Sequence, residues 1–353
     1  MRRSRKPAQS NGLAAHALHY AARTAVAAVG AFGLEDASAT VRSAARWWAR
    51  SSFNAQRHRR AKANIAWAFP EADAAWVERT AVASYEHLFL LAAELAALPR
   101  LITPSRWFEH VELGDVREGL ELLAEGRPAI LITGHCGCWE ALGYTLAALG
   151  VPLHALYRPL NQKPLDDWVR RVRASRGLAL LDKFGATERI PAIIEQGGCV
   201  GFLADQNAGD RGLFVPFFNR LASSYKSIGL LAMRYELPLL CGAAFRLPAA
   251  SRKRFRIELV DVILPQHWKD ADDPLFFITC RYRWAIETMV RMAPEQYLWM
   301  HRAWKSRPRH ERLGRPFPPA LRQKLASLPW MTQPSLERII ERSRRDAAQC
   351  AAR

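Results

Sequence analysis

The 353-residue sequence lacks several features that would assign it to a class directly. Its six cysteines are too few and too scattered for a disulfide framework, which favours a reducing compartment. No paired Cys/His set follows residues 135–138 at the spacing of a zinc finger or a zinc ribbon. Internal repeats and long linkers are absent as well. The sequence therefore predicts one elaborated α/β domain with helical extensions rather than several independent modules.

An uninterrupted apolar run as long as a membrane span is also missing. Residues 13–34 are rich in Ala, Val, Leu and Gly, but Arg23 lies near the middle, where a charge is costly in a bilayer. The basic aromatic stretch 46–50 suits the headgroup region, in which tryptophan is favoured. We therefore expect residues 1–63 to be a helical, amphipathic region that lies on a membrane surface. The alternatives are a soluble helix packed on the main domain and a signal peptide cleaved near residues 37–39.

Acidic side chains are scarce relative to basic ones. The chain has 51 Lys and Arg against 33 Asp and Glu, which gives a formal net charge of +18. Residues 1–63, including the start Met1-Arg2-Arg3-Ser4-Arg5-Lys6, hold 12 basic side chains against two acidic ones, more than half of the excess. This distribution suits an anionic partner: nucleic acid, an anionic membrane surface or an acidic carrier protein. A general feature of an arginine-rich proteome is the alternative, and no recognisable nucleic-acid-binding module is present.

A histidine and a glutamate five residues apart form the strongest candidate site. Residues 128–133 predict a strand that Gly134 ends, and residues 139–149 predict a helix. His135 would then lie at the carboxyl edge of a strand, where α/β sheets bind ligands. Glu140 would lie in the first turn of the helix, which suits its positive end. The pair predicts a general base with its orienting acid, and the alternative is a structural histidine beside a glutamate that only compensates the helix dipole.

Two cysteines between them raise rival interpretations. Cys136 and Cys138 together with His135 resemble part of a zinc site, although the remaining ligands are not evident. A cysteine nucleophile is also possible, because a helix N-terminus beside a histidine lowers the pKa of a thiol. Either interpretation predicts a Cys- or metal-dependent hydrolase.

The middle of the chain alternates between strand and helix patterns, which predicts an α/β sheet. Two polar motifs end strands there, Tyr157-Arg158-Pro159 and Ala204-Asp205-Gln206-Asn207-Ala208-Gly209. They lie at the same predicted edge as His135, where a convergent site would form. The alternative for each motif is a simple turn. The predicted elements are strands 151–157, 178–181 and 199–203 and helices 165–176 and 187–196.

Four blocks of the sequence stand in a fixed order. They are His135 to Glu140, Tyr157 to Asn161, Asp205-Gln206 with Phe214 to Phe218, and Ala293 to Arg302 continued by Lys305 and Arg307-Pro308. In this order they resemble the bacterial lipid A biosynthesis acyltransferase family, which includes lauroyl and myristoyl acyltransferases. The resemblance runs from about Val82 to Pro308.

The resemblance implies a fold, an activity and a location. The fold would be the glycerol-phosphate-acyltransferase type of α/β fold, a mixed sheet flanked by helices. The activity would be transfer of a fatty acyl chain from acyl carrier protein or acyl-CoA to a hydroxyl of a lipid A precursor or related glycolipid. A lysophospholipid, a phosphatidylinositol mannoside or an aminolipid are alternative acceptors. The location would be the cytoplasmic face of the bacterial inner membrane, with peripheral or N-terminal attachment. Residues 64–310 would form the acyltransferase domain and residues 311–353 a basic C-terminal helical tail.

The resemblance also implies roles for residues. His135 would deprotonate the acceptor hydroxyl with the support of Glu140, and no metal, ATP or redox cofactor is expected because a thioester is already activated. The remaining substrate-binding candidates are Arg158 for an anionic group, Asp205 and Gln206 for the acceptor, Lys226 for a phosphate unless it is only a surface lysine, and Arg302. Arg170, Arg171 and Arg173 are candidate docking charges for an acidic carrier protein. Cys136, Cys138 and Asn207 depart from the usual family pattern and predict a different acceptor pocket.

Overall fold

The computed structural model describes residues 9–351, so the basic start at residues 1–6 lies outside the described residues. The helices are α1 Leu13–Phe32, α2 Leu34–Arg50, α3 Ala55–Ala68, α4 Ala74–Leu101, α5 Trp107–His110, α6 Arg117–Ala124, α7 Trp139–Ala148, α8 Lys163–Ala174, α9 Ala186–Glu195, α10 Lys226–Tyr235, α11 Pro274–Met292, α12 Arg309–Arg312, α13 Pro319–Ala326 and α14 Gln333–Ala351. The strands are β1 Val111–Leu113, β2 Ile130–Thr133, β3 Leu153–Tyr157, β4 Ala179–Asp182, β5 Cys199–Leu203, β6 Leu213–Phe217, β7 Arg220–Ser224, β8 Leu239–Arg246 and β9 Phe255–Ile263.

Seven strands form a mixed and mostly parallel sheet in the order β1-β9-β8-β2-β5-β3-β4. Strands β8, β2, β5, β3 and β4 run parallel to one another, whereas β9 is antiparallel to β8. All four residues of β2 are buried, as expected for a central strand with both faces covered. The carboxyl ends of β2, β5, β3 and β4 therefore meet at one edge of the sheet. The predicted α/β architecture with a mixed sheet and flanking helices is confirmed.

The strands and helices predicted for the middle of the chain all form, with their ends shifted by a few residues at most. Strand β5 has the bounds predicted from the sequence, residues 199–203. Strand β3 begins two residues later than predicted, because residues 151–152 belong to the connection that follows the turn after α7. The sequence did not reveal the antiparallel pair β8 and β9 or the two-stranded ribbon of β6 and β7.

Two helices at the amino-terminal end lie on the outside of the sheet domain. Helix α1 turns Ala15 and His19 inward, and the His19 ring lies 6.4 Å from that of Trp168 on α8. Helix α2 is fastened to α4 because Arg42 and Arg46 both bind Glu86. No helix within residues 9–351 combines the length and apolar character needed to cross a membrane.

The carboxyl-terminal helix α14 packs on the domain through buried charges. Asp346 accepts hydrogen bonds from Arg220 of β7 and from Arg307. Arg307 also binds Glu311, which in turn accepts a hydrogen bond from Ser343 of α14. Residues 311–351 are therefore tied to the strands of the domain, because separating them would leave these charges buried without partners.

Candidate active site

The loop between β2 and α7 carries His135 at the carboxyl edge of the sheet. Backbone hydrogen bonds hold this loop on both sides: the amide of Leu298 donates to the carbonyl of His135, and Gly137 donates to Gln296. Gly137 has a φ of 58°, and a Cβ atom there would lie 2.3 Å from the carbonyl oxygen of Ala244. Only glycine allows this close approach, so the glycine of the motif fixes the position of the histidine.

The carboxylate that contacts His135 belongs to Asp205. The Nδ1 atom of His135 lies 2.7 Å from Oδ1 of Asp205. This contact follows from the sheet register, because Thr133 pairs with Leu203 on the neighbouring strand β5 and each functional residue follows two positions later. Burial alone would raise the pKa of Asp205, but the charge and the hydrogen bond of His135 outweigh it and hold that pKa well below its usual range. The ionised carboxylate accepts the Nδ1 proton, so in the neutral ring Nε2 is the nitrogen that carries the free lone pair.

Glu140 has a different partner from the one that the sequence predicted. Its carboxylate accepts hydrogen bonds from Nε of Arg173 at 3.0 and 3.1 Å and a further one from Nη2. Trp139 also donates its indole proton to it, at 3.1 Å. The hydrogen bond expected between Glu140 and His135 is therefore replaced by an ion pair between α7 and α8. The physical reason is that a buried carboxylate is most stable beside a bidentate guanidinium, and Arg173 offers one.

Three further side chains surround the His135–Asp205 pair. Nε2 of Gln206 lies 3.3 Å from Nε2 of His135, and the Tyr297 hydroxyl donates to Oδ2 of Asp205 at 3.1 Å. The ring of His301 lies 4.7 Å from the ring of His135. Burial and, after it, the neighbouring His135 lower the pKa of His301 to about 4. Tyr297 and His301 belong to the closing sequence block. The sequence showed this block, but it did not show that these two residues contact Asp205 and His135.

A largely apolar cavity of about 500 Å³ reaches this site. It lies against the sheet beneath α6 and α7, and leucine is the commonest residue in its lining, with Leu131, Leu146, Leu153, Leu178, Leu240 and Leu259 among the leucines. His135, Gln206 and Arg158 line the same cavity at the carboxyl edge of the sheet. The cavity therefore offers space for a long apolar group whose reactive end lies beside the imidazole.

The predicted cationic residues divide between the cavity and the outer surface. Arg158 follows β3 and lines the cavity, as does Lys183, which follows β4 and which the sequence did not single out. Burial and the charge of Arg158 lower the pKa of Lys183, so the two cations lie within electrostatic reach. Lys226 and Arg302 are exposed and do not line this cavity. Arg173 is mostly buried by its pairing with Glu140, which removes it from the predicted docking charges.

The two cysteines beside His135 are fully buried. Burial and the nearby Asp205 raise the pKa of Cys136 to about 12, and burial raises that of Cys138 well above its usual range. Neither thiol therefore has the lowered pKa that a cysteine nucleophile requires. Within residues 9–351 no group of three or more His, Cys, Asp or Glu side chains is arranged to hold a metal ion.

Comparison with known sequences agrees with the four blocks. A lauroyltransferase of lipid A biosynthesis from Escherichia coli strain K12 is 27% identical over 208 residues, which cover 58% of this chain and 64% of the relative. The palmitoleoyltransferase of lipid A biosynthesis from the same organism is 28% identical over 208 residues, 58% of this chain and 63% of the relative. A lipid A biosynthesis acyltransferase of Haemophilus influenzae is 23% identical over 255 residues, 70% of this chain and 76% of the relative. The matched region thus spans slightly less than two thirds of the two Escherichia coli relatives.

The sequence model that describes the bacterial lipid A biosynthesis acyltransferases matches residues 12–306. The match includes His135, Asp205 and the closing block as far as Lys305, and it covers most of the chain. This confirms the family predicted from the order of the four blocks. The chain belongs to the bacterial lipid A biosynthesis acyltransferase family.

Proposed function

We propose that the protein is a membrane-associated O-acyltransferase. It would move a fatty acyl chain from a thioester of acyl carrier protein or coenzyme A to a hydroxyl of a lipid A precursor or a related glycolipid. One observation carries this proposal: the apolar cavity reaches the carboxyl edge of the sheet beside the imidazole of His135. Burying an alkyl chain contributes about 0.8 kcal/mol per methylene, so such a cavity favours a long acyl group.

The reaction follows from the arrangement of His135 and Asp205. Nε2 of His135 takes the proton of the acceptor hydroxyl while the oxygen attacks the thioester carbonyl carbon. Asp205, bound to Nδ1 at 2.7 Å, holds the ring in the required tautomer and stabilises the imidazolium. The new C–O bond forms, the C–S bond breaks, and the imidazolium returns its proton to the leaving thiolate.

Gln206 and the two cations give the site its polar contacts. The amide of Gln206 lies against Nε2 of His135, in the place that an acceptor hydroxyl must occupy. In our proposal this amide moves away from Nε2 when the substrates bind. It then donates a hydrogen bond to the thioester carbonyl oxygen, whose negative charge increases as the new C–O bond forms. Arg158 and Lys183 line the same cavity and would hold an anionic group of either substrate.

Glu140 is best explained as a support for the cavity wall. Its ion pair with Arg173 joins α7 to α8, and both helices border the cavity. The side chain of Arg173 also lies over the Tyr157 ring, with Cζ 5.1 Å from the ring centroid. The pair would thereby hold Tyr157 and the following Arg158 in place. Its loss would weaken substrate binding more than the proton-transfer step.

Membrane attachment at the cytoplasmic face of the inner membrane is part of the proposal. Trp47 of α2 and Phe53, just after α2, are exposed at 68% and 84%. The nearby Arg50, Arg57 and Arg59 are exposed as well. Exposed aromatic rings interspersed with arginines suit the headgroup region of an anionic membrane.

The decisive experiment measures acyl transfer by the purified full-length chain. Acyl carrier protein and coenzyme A thioesters would be offered with a lipid A precursor, a lysophospholipid and a phosphatidylinositol mannoside, and products followed by mass spectrometry. We expect one acceptor class to gain a single acyl chain and the His135→Ala variant to lose this activity. His154→Ala serves as the matched control and should remain active, because His154 lies near the amino end of strand β3, away from the carboxyl edge of the sheet. A fully active His135→Ala variant would contradict the assignment of the base.

A further inference from the structure

Arg283 of α11 is an arginine buried in the protein interior, and no residue of 9–351 forms an ion pair with it within 4 Å. Its side chain is 0% exposed. Nη1 donates to the carbonyl oxygen of Ala204 at 3.2 Å, whereas Nε and Nη2 have no hydrogen-bond partner within residues 9–351. The guanidinium lies over the Phe217 ring, with Cζ 4.0 Å from the centroid. A buried cation with so few hydrogen bonds is costly, so its charge needs a counterpart nearby.

The counterpart of Arg283 is Asp205. Arg283 binds the peptide carbonyl immediately before Asp205, and its charge acts on that carboxylate through the protein interior. Asp205 is 1% exposed and Arg283 is 0% exposed, so solvent screens neither charge effectively. One negative and one positive charge therefore balance inside the site only while His135 is neutral.

This balance matters because a base must be free of its second proton. A buried carboxylate 2.7 Å from an imidazole attracts a proton onto the ring, and a protonated imidazole accepts no proton from a hydroxyl. We propose that Arg283 is a positioning residue that offsets the charge of Asp205, so that His135 is neutral when the acceptor arrives. The inference rests on the proposed role of His135 as the base.

The other described groups that act electrostatically with Asp205 do not supply this charge. His301 and Tyr297 approach from the segment after α11, Tyr225 from the segment before α10, and Cys136 from the loop after β2. Burial raises the pKa of both tyrosines and of Cys136, which keeps all three neutral, and His301 is neutral above a pKa of about 4. Among these residues, Arg283 is therefore the one whose side chain stays positively charged at every pH considered.

The test is the pH profile of kcat/KM for Arg283→Gln. Removing the cation makes proton uptake by the His135–Asp205 pair easier. The pH below which kcat/KM falls should therefore rise by about one unit. At pH 6 the variant should be about tenfold slower than the native protein, and near pH 9 the two rates should converge. A merely structural defect would lower the rate equally at all pH values, and that result would overturn the inference.

Arg281→Gln is the matched control. Arg281 lies on the same helix and binds Asp261 of β9 through two hydrogen bonds of 2.9 Å. Its loss removes an ion pair from α11 without changing the charge beside Asp205. We expect a lower thermal midpoint but an unchanged acid limb for this variant.

A thermal-unfolding cycle tests the pairing without relying on activity. Asp205→Asn leaves Arg283 as an uncompensated buried cation, and Arg283→Gln leaves Asp205 as an uncompensated buried anion. The double variant should lose less in Tm than the sum of the two single losses, and it should fold even if Arg283→Gln alone does not. Additive losses, or an unfolded double variant, would contradict the inference. If the native protein transfers no acyl chain at all, the proposed function fails while this cycle still decides the role of Arg283.

Discussion

The imidazole of His135 is hydrogen-bonded to Asp205, a residue that lies 70 positions further along the chain. The contact joins the first and third of the four sequence blocks at the carboxyl edge of adjacent strands β2 and β5. Glu140, which is closer to the histidine in sequence, binds Arg173 instead. The two carboxylates therefore have separable roles, and substitution can distinguish them.

Asp205→Asn should lower kcat strongly, by roughly 10²- to 10⁴-fold, with a smaller effect on KM. An asparagine can still contact Nδ1 but cannot stabilise the imidazolium. Glu140→Gln should chiefly raise KM, because its ion pair with Arg173 supports the cavity wall. Steady-state kinetics on both variants, with circular dichroism to confirm folding, make the comparison. The reverse ordering, with Glu140→Gln losing far more kcat, would show that Glu140 acts in the chemical step.

The sequence predicted the elements around the site better than the contacts within it. Strands β2, β3 and β5 were visible because each is a short apolar run that ends at a glycine or a polar motif. The partner of His135 depends on which strands become neighbours and in what register, and this is decided by packing between distant segments. The partner of Glu140 likewise depends on how α8 lies against α7. For the same reason, the contact of Arg283 on α11 with the peptide carbonyl before Asp205 was not predictable from the sequence.

The stability of the fold should depend on pH through His301. Its pKa in the folded protein is about 4, whereas an unfolded histidine has a pKa of about 6.5. Between these values the unfolded chain binds a proton that the folded protein does not, so the free energy of unfolding falls as the pH decreases through this window. The loss from this group over the whole window is about 3 kcal/mol.

The measurement is urea unfolding at pH 7, 5.5 and 4.5 for the native protein and for His301→Gln. The variant lacks this proton-uptake site, so its stability should fall less over the same range. Other buried histidines titrate in both proteins and cancel in the difference. His16→Gln, on the exposed surface of α1, is the control and should follow the native curve. Equal slopes for His301→Gln and the native protein would mean that His301 is not held neutral by the fold.

The length of the accepted acyl chain should depend on the contact between Gly143 of α7 and Leu178. Both residues line the cavity, and a Cβ atom at Gly143 would lie 3.3 Å from a methyl group of Leu178. Gly143→Val should fill part of the cavity and shift the preference toward donors about two to four methylenes shorter, since each excluded methylene forfeits about 0.8 kcal/mol of burial. Leu178→Ala should act in the opposite direction. Competition between donors of mixed chain length, read by mass spectrometry, gives the preference; an unchanged product distribution in both variants would place the end of the acyl chain elsewhere.

Attachment to membranes should depend on the exposed aromatic side chains near the end of α2. Trp47 and Phe53 are exposed at 68% and 84%, and the exposed Arg50 lies between them in sequence. The double variant Trp47→Ala/Phe53→Ala should bind vesicles rich in anionic phospholipid about tenfold more weakly, because two large apolar surfaces no longer enter the interface. Trp284→Ala is the control, since Trp284 is a tryptophan of α11 that is 44% exposed on another part of the surface. Co-sedimentation at low and high salt separates the two forces: the arginine contribution should weaken with salt, whereas the aromatic contribution should persist. Equal binding by the double variant and the control would exclude this surface as the attachment site, and the proposed membrane contact would then have to involve another part of the chain.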